Sequence, residues 1–227
     1  DMIIHDMALQ GLAVRLCMDR AGLSGDDGPT HHGLFDIGYL RHVPGLIMMQ
    51  PKDEEELVDM LHTMAAYDEG PSAIRYPRGS ITGSKPKDEP ELLEIGKAEV
   101  IADGADIALL GLGNLFGMAE EVKAMLEDEG YSVALINPRF IKPLDAQVIE
   151  SYASKCKVVC TFEDHVLFNG FGAAVIEHLH DKGIHTPVAR IGWPDEFIEH
   201  GKVEILRELH GLTAAAAVEK ILSHLKG

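Results

Sequence analysis

The sequence predicts an α/β fold made of open, mostly parallel β-sheets with flanking helices. Short apolar runs typical of buried strands alternate along the chain with segments whose apolar residues recur at helical spacing. This alternation indicates parallel strands, because a helix then connects each strand to the next. The chain has 227 residues, of which 46% are hydrophobic, so it can bury a sizeable core in one large or two small domains.

The first part of the chain contains three predicted strands and three predicted helices. The strands are the apolar runs 12–19, 45–51 and 72–76. The helices are 1–11, which Gly11 ends, then 33–40, and 53–67, where Asp53 and Glu56 have the spacing of a capping box. Residues 19–33 form a loop that is long for a compact domain, and such loops are often functional.

The second part of the chain follows residues 79–91, which are rich in Gly, Ser, Pro and charge and are the best linker candidate. Strands and helices then alternate again. The predicted strands are 98–102, 106–113, 132–137, 157–163 and 187–192. The predicted helices are 114–129, 145–154, 172–180 and two at the end of the chain, of which the last starts from a Thr213 cap.

Charge and cysteine content argue against several classes of function. With a formal net charge of −17, the chain is not expected to bind nucleic acid or an anionic membrane, so local arginines must hold any anionic ligand. No apolar run approaches the roughly 18 residues of a membrane span. Cys17, Cys156 and Cys160 lack metal-type spacing and predict reduced, mostly buried thiols in a cytoplasmic protein. Because the chain starts without Met and already in a helical pattern, we expect a fragment.

Two arginines follow the ends of predicted strands. Arg20 comes just after the first strand and Arg78 just after the third. Ligands of open parallel sheets bind beyond the carboxyl ends of the strands, so both guanidinium groups are expected at one crevice. Two such groups suit a phosphate dianion because each can donate two parallel, charge-assisted hydrogen bonds. The alternative is that each arginine pairs with surface carboxylates.

The loop between residues 19 and 33 also carries titratable groups. His31 and His32 follow a Gly-Pro turn, and a histidine at the active edge of a sheet can transfer protons near neutral pH. Neighbouring histidines point in different directions and have no third ligand nearby, so a zinc site is not expected here. Asp26 and Asp27 either shape the turn or orient a histidine or a hydroxyl group.

Two glycine-rich helix entries compete with this loop as binding sites. The stretch "GLGNLFG" at 111–117 follows a strand and opens a helix, as a dinucleotide-binding fingerprint does. Its spacing differs from that fingerprint, and the next strand ends in Asn137 rather than in an acidic residue. Tight packing of helix on strand explains these glycines, and those of "FNGFGAA" at 168–174, equally well.

A series of motifs resembles one enzyme family over nearly the whole chain. The motifs are "HDMALQ", "DRAGLSGDDGPTHHGLFDIGYLR", "PGLIMMQPKDEEEL", "GPSAIRYPRG" and "NPRFIKPLD". They resemble the 1-deoxy-D-xylulose-5-phosphate synthases of the transketolase superfamily. The resemblance implies the last portion of a pyrimidine-binding domain at 1–84, a linker at 85–95 and a transketolase C-terminal domain at 96–227.

The resemblance also implies a reaction and roles for named residues. Such enzymes use thiamine diphosphate and Mg²⁺ to condense pyruvate with D-glyceraldehyde 3-phosphate, giving 1-deoxy-D-xylulose 5-phosphate and carbon dioxide for isoprenoid and thiamine biosynthesis. By this resemblance Arg20 and Arg78 hold the phosphate, Asp27 borders the pocket, and His31 is the catalytic residue that aids proton transfer.

Other expectations follow from what this chain lacks. The resemblance assigns no cofactor-binding residue and no metal ligand to it, since the family's cofactor-activating glutamate and magnesium signature lie upstream. We therefore expect the chain alone to be inactive. The resemblance also implies a homodimer, since members of the superfamily place their active sites at dimer interfaces, and the cysteine usage predicts a cytoplasmic location. The alternative is a non-catalytic binding or dimerisation module of the same superfamily.

Overall fold

The computed structural model describes residues 1–81, 83, 87 and 89–225 and contains two β-sheets with helices packed against them. The first sheet has four strands and the second has five. Each sheet has one antiparallel edge pair, and its other strand pairs are parallel. The predicted fold class, two mostly parallel sheets with flanking helices, is confirmed.

The first sheet has the strand order β1-β3-β2-β7. Its strands are β1 (Arg15–Met18), β3 (Ser72–Arg75), β2 (Ile47–Met49) and β7 (Phe140–Lys142). A π-helical segment (Ile3–Ala8) precedes it, and its connections contain the helices α1 (Asp36–Leu40) and α2 (Glu54–Ala66). Because β1 and β3 are parallel neighbours, the residues that follow them emerge at the same edge of the sheet.

Strand β7 was not predicted from the sequence. It belongs to the second part of the chain, yet it pairs antiparallel with β2 and completes the first sheet. A three-residue strand between Pro138 and Pro143 is too short to show the alternation that identifies strands. The two parts of the chain therefore share a sheet.

The second sheet has the strand order β4-β6-β5-β8-β9. Its strands are β4 (Glu99–Ala102), β6 (Val133–Asn137), β5 (Ile107–Gly111), β8 (Val158–Val166) and β9 (Val188–Trp193). The helices of this part are α3 (Phe116–Asp128), α4 (Ala146–Lys155), α5 (Phe171–Asp181), α6 (Val203–Leu209) and α7 (Ala214–Leu225). All residues of β5, β6 and β8 are buried, which explains the apolar runs of β5, most of β6 and the start of β8.

Three local expectations differ from the structure. Asp53 caps α2 as predicted, by accepting a hydrogen bond from Glu56 N (2.8 Å). The reciprocal bond of the capping box differs, because the Glu56 carboxylate accepts from Lys52 N (2.7 Å) rather than from Asp53 N. Cys17 is exposed rather than buried because β1 is an edge strand with β3 as its neighbour. Strand β8 continues three residues beyond its predicted end at position 163.

Polar contacts also join the two parts of the chain. Lys142 Nζ donates to the carbonyl oxygens of Arg41 (2.9 Å) and Val43 (2.5 Å), and burial together with the Arg41 charge lowers the pKa of this lysine. Arg139 donates to the buried Glu56 carboxylate (2.7 Å). These contacts fix the second part of the chain against α1 and α2, so the loops at the edge of the first sheet have a defined neighbour. None of the helices in the described residues has both the length and the apolar character needed to cross a bilayer.

Three residues of the predicted linker 85–95, at positions 85, 86 and 88, lie outside the described residues. The remainder of the segment contacts α2. Lys87 pairs with Asp59 (2.7 Å), Glu91 N donates to the same carboxylate (2.8 Å), and Leu93 N donates to Thr63 Oγ1 (2.8 Å). The domain boundaries themselves stay a prediction.

Candidate active site

The loop of residues 19–33 leaves β1 and passes beside the end of β3. Ala21 N donates a hydrogen bond to Tyr76 O (2.9 Å). At the end of the loop, Gly33 N donates one to Arg20 O (3.0 Å). A side chain at Gly33 would overlap the Arg20 carbonyl group, so glycine is required for this close approach. Arg20 itself has a positive φ of 59°, a conformation that non-glycine residues adopt only when neighbouring contacts hold them there.

The structure brings Arg20, Arg78 and Asp27 together. Arg78 Nη1 donates to Asp27 Oδ2, and Arg20 Nε lies 3.7 Å from the same oxygen. Arg20 also pairs with Asp19 (2.7 Å). The side chains of Arg20 and Arg78 are 39% and 54% exposed, so solvent and a ligand can reach both. Two guanidinium groups thus face one anionic position, as their places after β1 and β3 predict.

A cleft of about 420 Å³ lies next to this arginine cluster. Residues 23–26 and 78–80 line it from the first part of the chain, and residues 201–204 line it from the second part. Arg78 and the exposed Lys202 place positive charge in the cleft, and Asp26 and Glu204 place negative charge there. The cleft is therefore formed by both parts of the chain.

The two neighbouring histidines occupy different environments. The ring of His31 is exposed and shares a hydrogen bond between Nδ1 and Thr30 Oγ1 (2.9 Å). His32 is buried, and its Nδ1 accepts from Ser24 N (3.0 Å), so its proton lies on Nε2, which is 3.3 Å from Glu199 O. His32 fixes the loop to the second part of the chain, whereas His31 is free to meet a ligand.

Arg75 lies three residues before Arg78 but is completely buried. It donates two hydrogen bonds to Asp36 (2.7 and 2.9 Å) and one to Gln50 Oε1 (2.6 Å). Its Nη2 also donates to Gly33 O (2.9 Å) and Asp164 O (3.2 Å). All three nitrogens of this guanidinium group donate to protein acceptors, so Arg75 links the first sheet, the loop and β8.

The network continues through Asp164 on β8. Its carboxylate accepts from Asn114 Nδ2 (2.5 Å) and Trp193 Nε1 (2.6 Å), and Arg207 lies 3.5 Å away. Asn114 in turn accepts from Gln50 Nε2 (3.1 Å). Arg75 and Asp164 are thereby joined across the two sheets by a closed path of hydrogen bonds.

Two titratable groups flank Asp164 and have perturbed pKa values. Burial lowers the pKa of His165 to about 4. Its Nε2 accepts from Gly38 N (3.2 Å) and its Nδ1 donates to Val166 O (2.6 Å), so the neutral ring satisfies both nitrogens. Burial raises the pKa of Glu163 to about 7, although Phe171 N and Gly172 N donate to its carboxylate. Through these hydrogen bonds His165 contacts α1 and Glu163 contacts the start of α5.

Sequence reasoning missed this network. Asp164 and His165 directly follow the predicted strand 157–163, and Arg75 lies inside the predicted strand 72–76. Charged residues within or at the end of a buried strand require partners, and that signal was present in the sequence. Their partners, however, come from the other sheet and could not be read from local spacing.

The glycines of 111–117 and 168–174 serve packing in the structure. A side chain at Gly113, whose φ is 59°, would overlap the side chain of Gln50. A side chain at Gly170 would overlap Glu163 in the same way. These close contacts support the packing interpretation over dinucleotide binding. Among the described residues, no group of three His, Cys, Asp or Glu side chains is placed to hold a metal ion.

Two parts of the chain match known protein families. Residues 1–83 match the family described as "Transketolase, pyrimidine binding domain", and residues 96–216 match "Transketolase, C-terminal domain". A solved structure described as "Split gene transketolase, inactive beta4 tetramer" superposes with a TM-score of 0.87 at 27% sequence identity, covering 99% of this chain and 71% of that chain.

Two similar curated proteins are both called 1-deoxy-D-xylulose-5-phosphate synthase. The protein from Acidobacterium capsulatum is 56% identical over 99% of this chain, and the one from Methylacidiphilum infernorum is 55% identical over 100% of it. In both comparisons this chain spans 36% of the relative's length. The chain belongs to the transketolase family, and over its whole length it is similar to one part of the 1-deoxy-D-xylulose-5-phosphate synthases.

Proposed function

We propose that this chain is the acceptor-binding part of a thiamine-diphosphate-dependent synthase that condenses pyruvate with D-glyceraldehyde 3-phosphate to 1-deoxy-D-xylulose 5-phosphate and carbon dioxide. The similarity to synthases of this name supports the reaction. The observation that carries the proposal for this chain's own residues is the meeting of Arg20 and Arg78 at Asp27.

Arg20 and Arg78 hold the phosphate of the acceptor in this proposal. Each pairs with carboxylates while it is partly exposed, and exposed ion pairs contribute only about 0–1 kcal/mol, so a ligand can replace them at little cost. A phosphate dianion has more acceptor oxygens and more charge than the Asp27 carboxylate, and it therefore competes well for two guanidinium groups. Asp27 then borders the pocket.

His31 is the group that moves protons in this proposal. Its ring lies on the same loop as Arg20 and Asp27, is exposed, and has one nitrogen bound to Thr30. An imidazole group can both accept and donate a proton near neutral pH. The buried His32 has both nitrogens engaged and is not a candidate for this role.

Thiamine diphosphate supplies the carbon nucleophile when it is bound. The resemblance places the magnesium and diphosphate ligands outside this chain, and among the described residues no group of three His, Cys, Asp or Glu side chains is placed to hold a metal ion. We therefore assign Mg²⁺ and the diphosphate to residues outside this chain. The chain alone is then inactive.

The remainder of the enzyme comes either from a longer polypeptide or from a separate subunit. The split-gene transketolase chain, which its description calls an inactive β4 tetramer, favours the second arrangement as an example within the family. We propose that the assembled enzyme contains two copies of this chain, so that it is a homodimer where one polypeptide carries all the parts. We also propose that it works in the cytoplasm, where the three free cysteines stay reduced. If the chain is instead a non-catalytic dimerisation module, no turnover is expected however it is combined with the rest of a synthase.

The test uses a chimera in which this chain replaces the matching 36% of the Acidobacterium capsulatum synthase. We expect turnover of pyruvate with D-glyceraldehyde 3-phosphate. In the same chimera, Arg78→Ala is expected to raise the KM for the phosphorylated acceptor about tenfold or more, because a charge-assisted contact is lost, and to leave the KM for pyruvate unchanged. Unphosphorylated D-glyceraldehyde is the control acceptor, whose KM should not respond. An unchanged KM for the phosphorylated acceptor would remove the phosphate assignment.

A further inference from the structure

Asp164 lies where the second sheet meets the loop of residues 19–33. Its side chain is 2% exposed. From the second part of the chain, Asn114 and Trp193 donate hydrogen bonds to it and Arg207 lies close to it. On the other side, a side chain at Gly22 would overlap the Asp164 carboxylate. The loop therefore rests directly on this carboxylate, with no room for another group between them.

A second contact connects Asp164 to the loop through Arg75. The Nη2 atom of Arg75 donates both to Asp164 O (3.2 Å) and to Gly33 O (2.9 Å). Gly33 closes the loop, since its N–H donates to Arg20 O (3.0 Å) and Gly22 O (2.8 Å) and its carbonyl accepts from Gly22 N (2.9 Å). The Arg75 contact uses the backbone carbonyl of Asp164, whereas the Asp164 side chain reaches Gly33 through Gly22, against which it packs and which exchanges hydrogen bonds with Gly33.

This path ends at the backbone of Arg20. The positive φ of Arg20 is strained for a residue with a side chain and persists only where surrounding contacts enforce it. The bond from Gly33 N to Arg20 O is one of the contacts that enforce this conformation. The direction in which the Arg20 side chain leaves the backbone is therefore coupled to β8, in the other sheet.

We propose that Asp164 is a positioning residue that holds Gly22 and Gly33 in place and so directs Arg20 toward Asp27. The inference rests on the proposed function for the role of Arg20, and it adds that a residue of the C-terminal-domain match sets the geometry of the acceptor site. Asp164 does not touch the ligand in this proposal. Its effect reaches the ligand through the loop backbone.

The experiment is Asp164→Asn in the active chimera. This change keeps the size of the side chain. The amide group of the new Asn, however, points an N–H at the N–H of Asn114 or Trp193, so one of these two hydrogen bonds is lost. We expect faster hydrogen exchange of the Gly22 and Gly33 amides, and a KM for D-glyceraldehyde 3-phosphate raised about fivefold with the KM for pyruvate unchanged. A merely structural role would instead lower kcat for the phosphorylated and unphosphorylated acceptors alike.

Two further variants keep the test decisive. Asn114→Ala removes a donor to Asp164 from a partly exposed turn and should give the same pattern more weakly if Asp164→Asn does not fold. Glu177→Gln is the matched control, since it breaks another contact between the two parts of the chain, the exposed pair with Arg41 (2.5 Å), and should change neither readout.

The outcomes separate the inference from the proposed function. If Arg78→Ala leaves the acceptor KM unchanged while Asp164→Asn speeds exchange at Gly22 and Gly33, the proposed function fails and the positioning role stands. If Arg78→Ala raises that KM while Asp164→Asn and Asn114→Ala change neither exchange nor KM, the positioning role is overturned.

Discussion

Two arginines of one short motif, "RYPRG", show how differently the same side chain is used in this protein. Arg75 is completely buried and donates to Asp36, Gln50 and two carbonyl groups. Arg78 is more than half exposed, and among the described residues it pairs with one carboxylate, that of Asp27. Only three residues separate them, but β3 ends at Arg75, so the first lies in the sheet and the second lies beyond its edge.

The difference in burial and in hydrogen-bond partners indicates which arginine can bind a ligand. A guanidinium group that is completely buried and bonded through all three nitrogens is out of reach of a ligand, and releasing it would leave charges unpaired in the interior. An exposed guanidinium group in a single weak ion pair can exchange its partner. We therefore assign Arg75 to stability and Arg78 to binding, and four measurements of stability test this contrast.

The largest expected effect is that of Arg75→Met on stability. The change leaves the Asp36 carboxylate buried without its partner, and removal of one member of such a pair costs about 3–5 kcal/mol. Urea unfolding of the chain measures this loss. The double variant Arg75→Met with Asp36→Leu should recover much of it, because no unpaired charge then remains. A loss below about 1 kcal/mol would show that the pair behaves like a surface contact.

His165 gives the next largest effect, and it depends on pH. Its native pKa is lowered to about 4 by burial, whereas the unfolded chain has an ordinary histidine, so the unfolded state binds a proton first as the pH falls. The stability due to neutral His165 is fully present above about pH 6.5 and is lost by about 2–3 kcal/mol as the pH falls toward 4. Urea unfolding at several pH values should show a flatter acid slope for His165→Gln, and equal slopes would contradict this assignment.

Gly113→Ala tests the packing of Gln50, which holds Arg75. Gly113 and Gly130 both have positive φ, but a side chain at Gly113 overlaps Gln50, whereas one at Gly130 meets nothing within 4 Å. We expect Gly130→Ala to lower the free energy of unfolding by about 1 kcal/mol, from backbone strain alone. Gly113→Ala should lower it by about 1–3 kcal/mol more than Gly130→Ala does, because of the overlap with Gln50. Thermal or urea unfolding compares the two. Equal losses would mean that Gln50 moves away freely.

Arg78→Ala should have the smallest effect on stability. Its pair with Asp27 is exposed, so we expect a change of about 1 kcal/mol or less in the free energy of unfolding. The same urea experiment used for Arg75→Met measures it. A loss as large as that of Arg75→Met would mean that the exposed cluster maintains the fold, and the contrast between the two arginines would fail.

The sequence by itself determined the fold class, most of the strands and helices, and the meeting of Arg20 with Arg78. The strands and helices follow from local periodicity, which is a property of short segments. The meeting of the two arginines follows from the general rule that ligand sites lie beyond the carboxyl ends of parallel strands. The resemblance to the synthases also followed from motifs that are continuous in the chain. The roles given to Arg20, Asp27, His31 and Arg78 stay predictions.

Only the tertiary structure decided which buried polar groups become partners. Nothing local in the sequence pairs Arg75 with Asp164, places β7 beside β2, or separates the exposed His31 from the buried His32. Buried polar groups must find hydrogen-bond partners, but the partner is chosen by which surfaces pack together over long sequence distances. The sequence thus marked groups that need partners, and the packing of the two sheets supplied them.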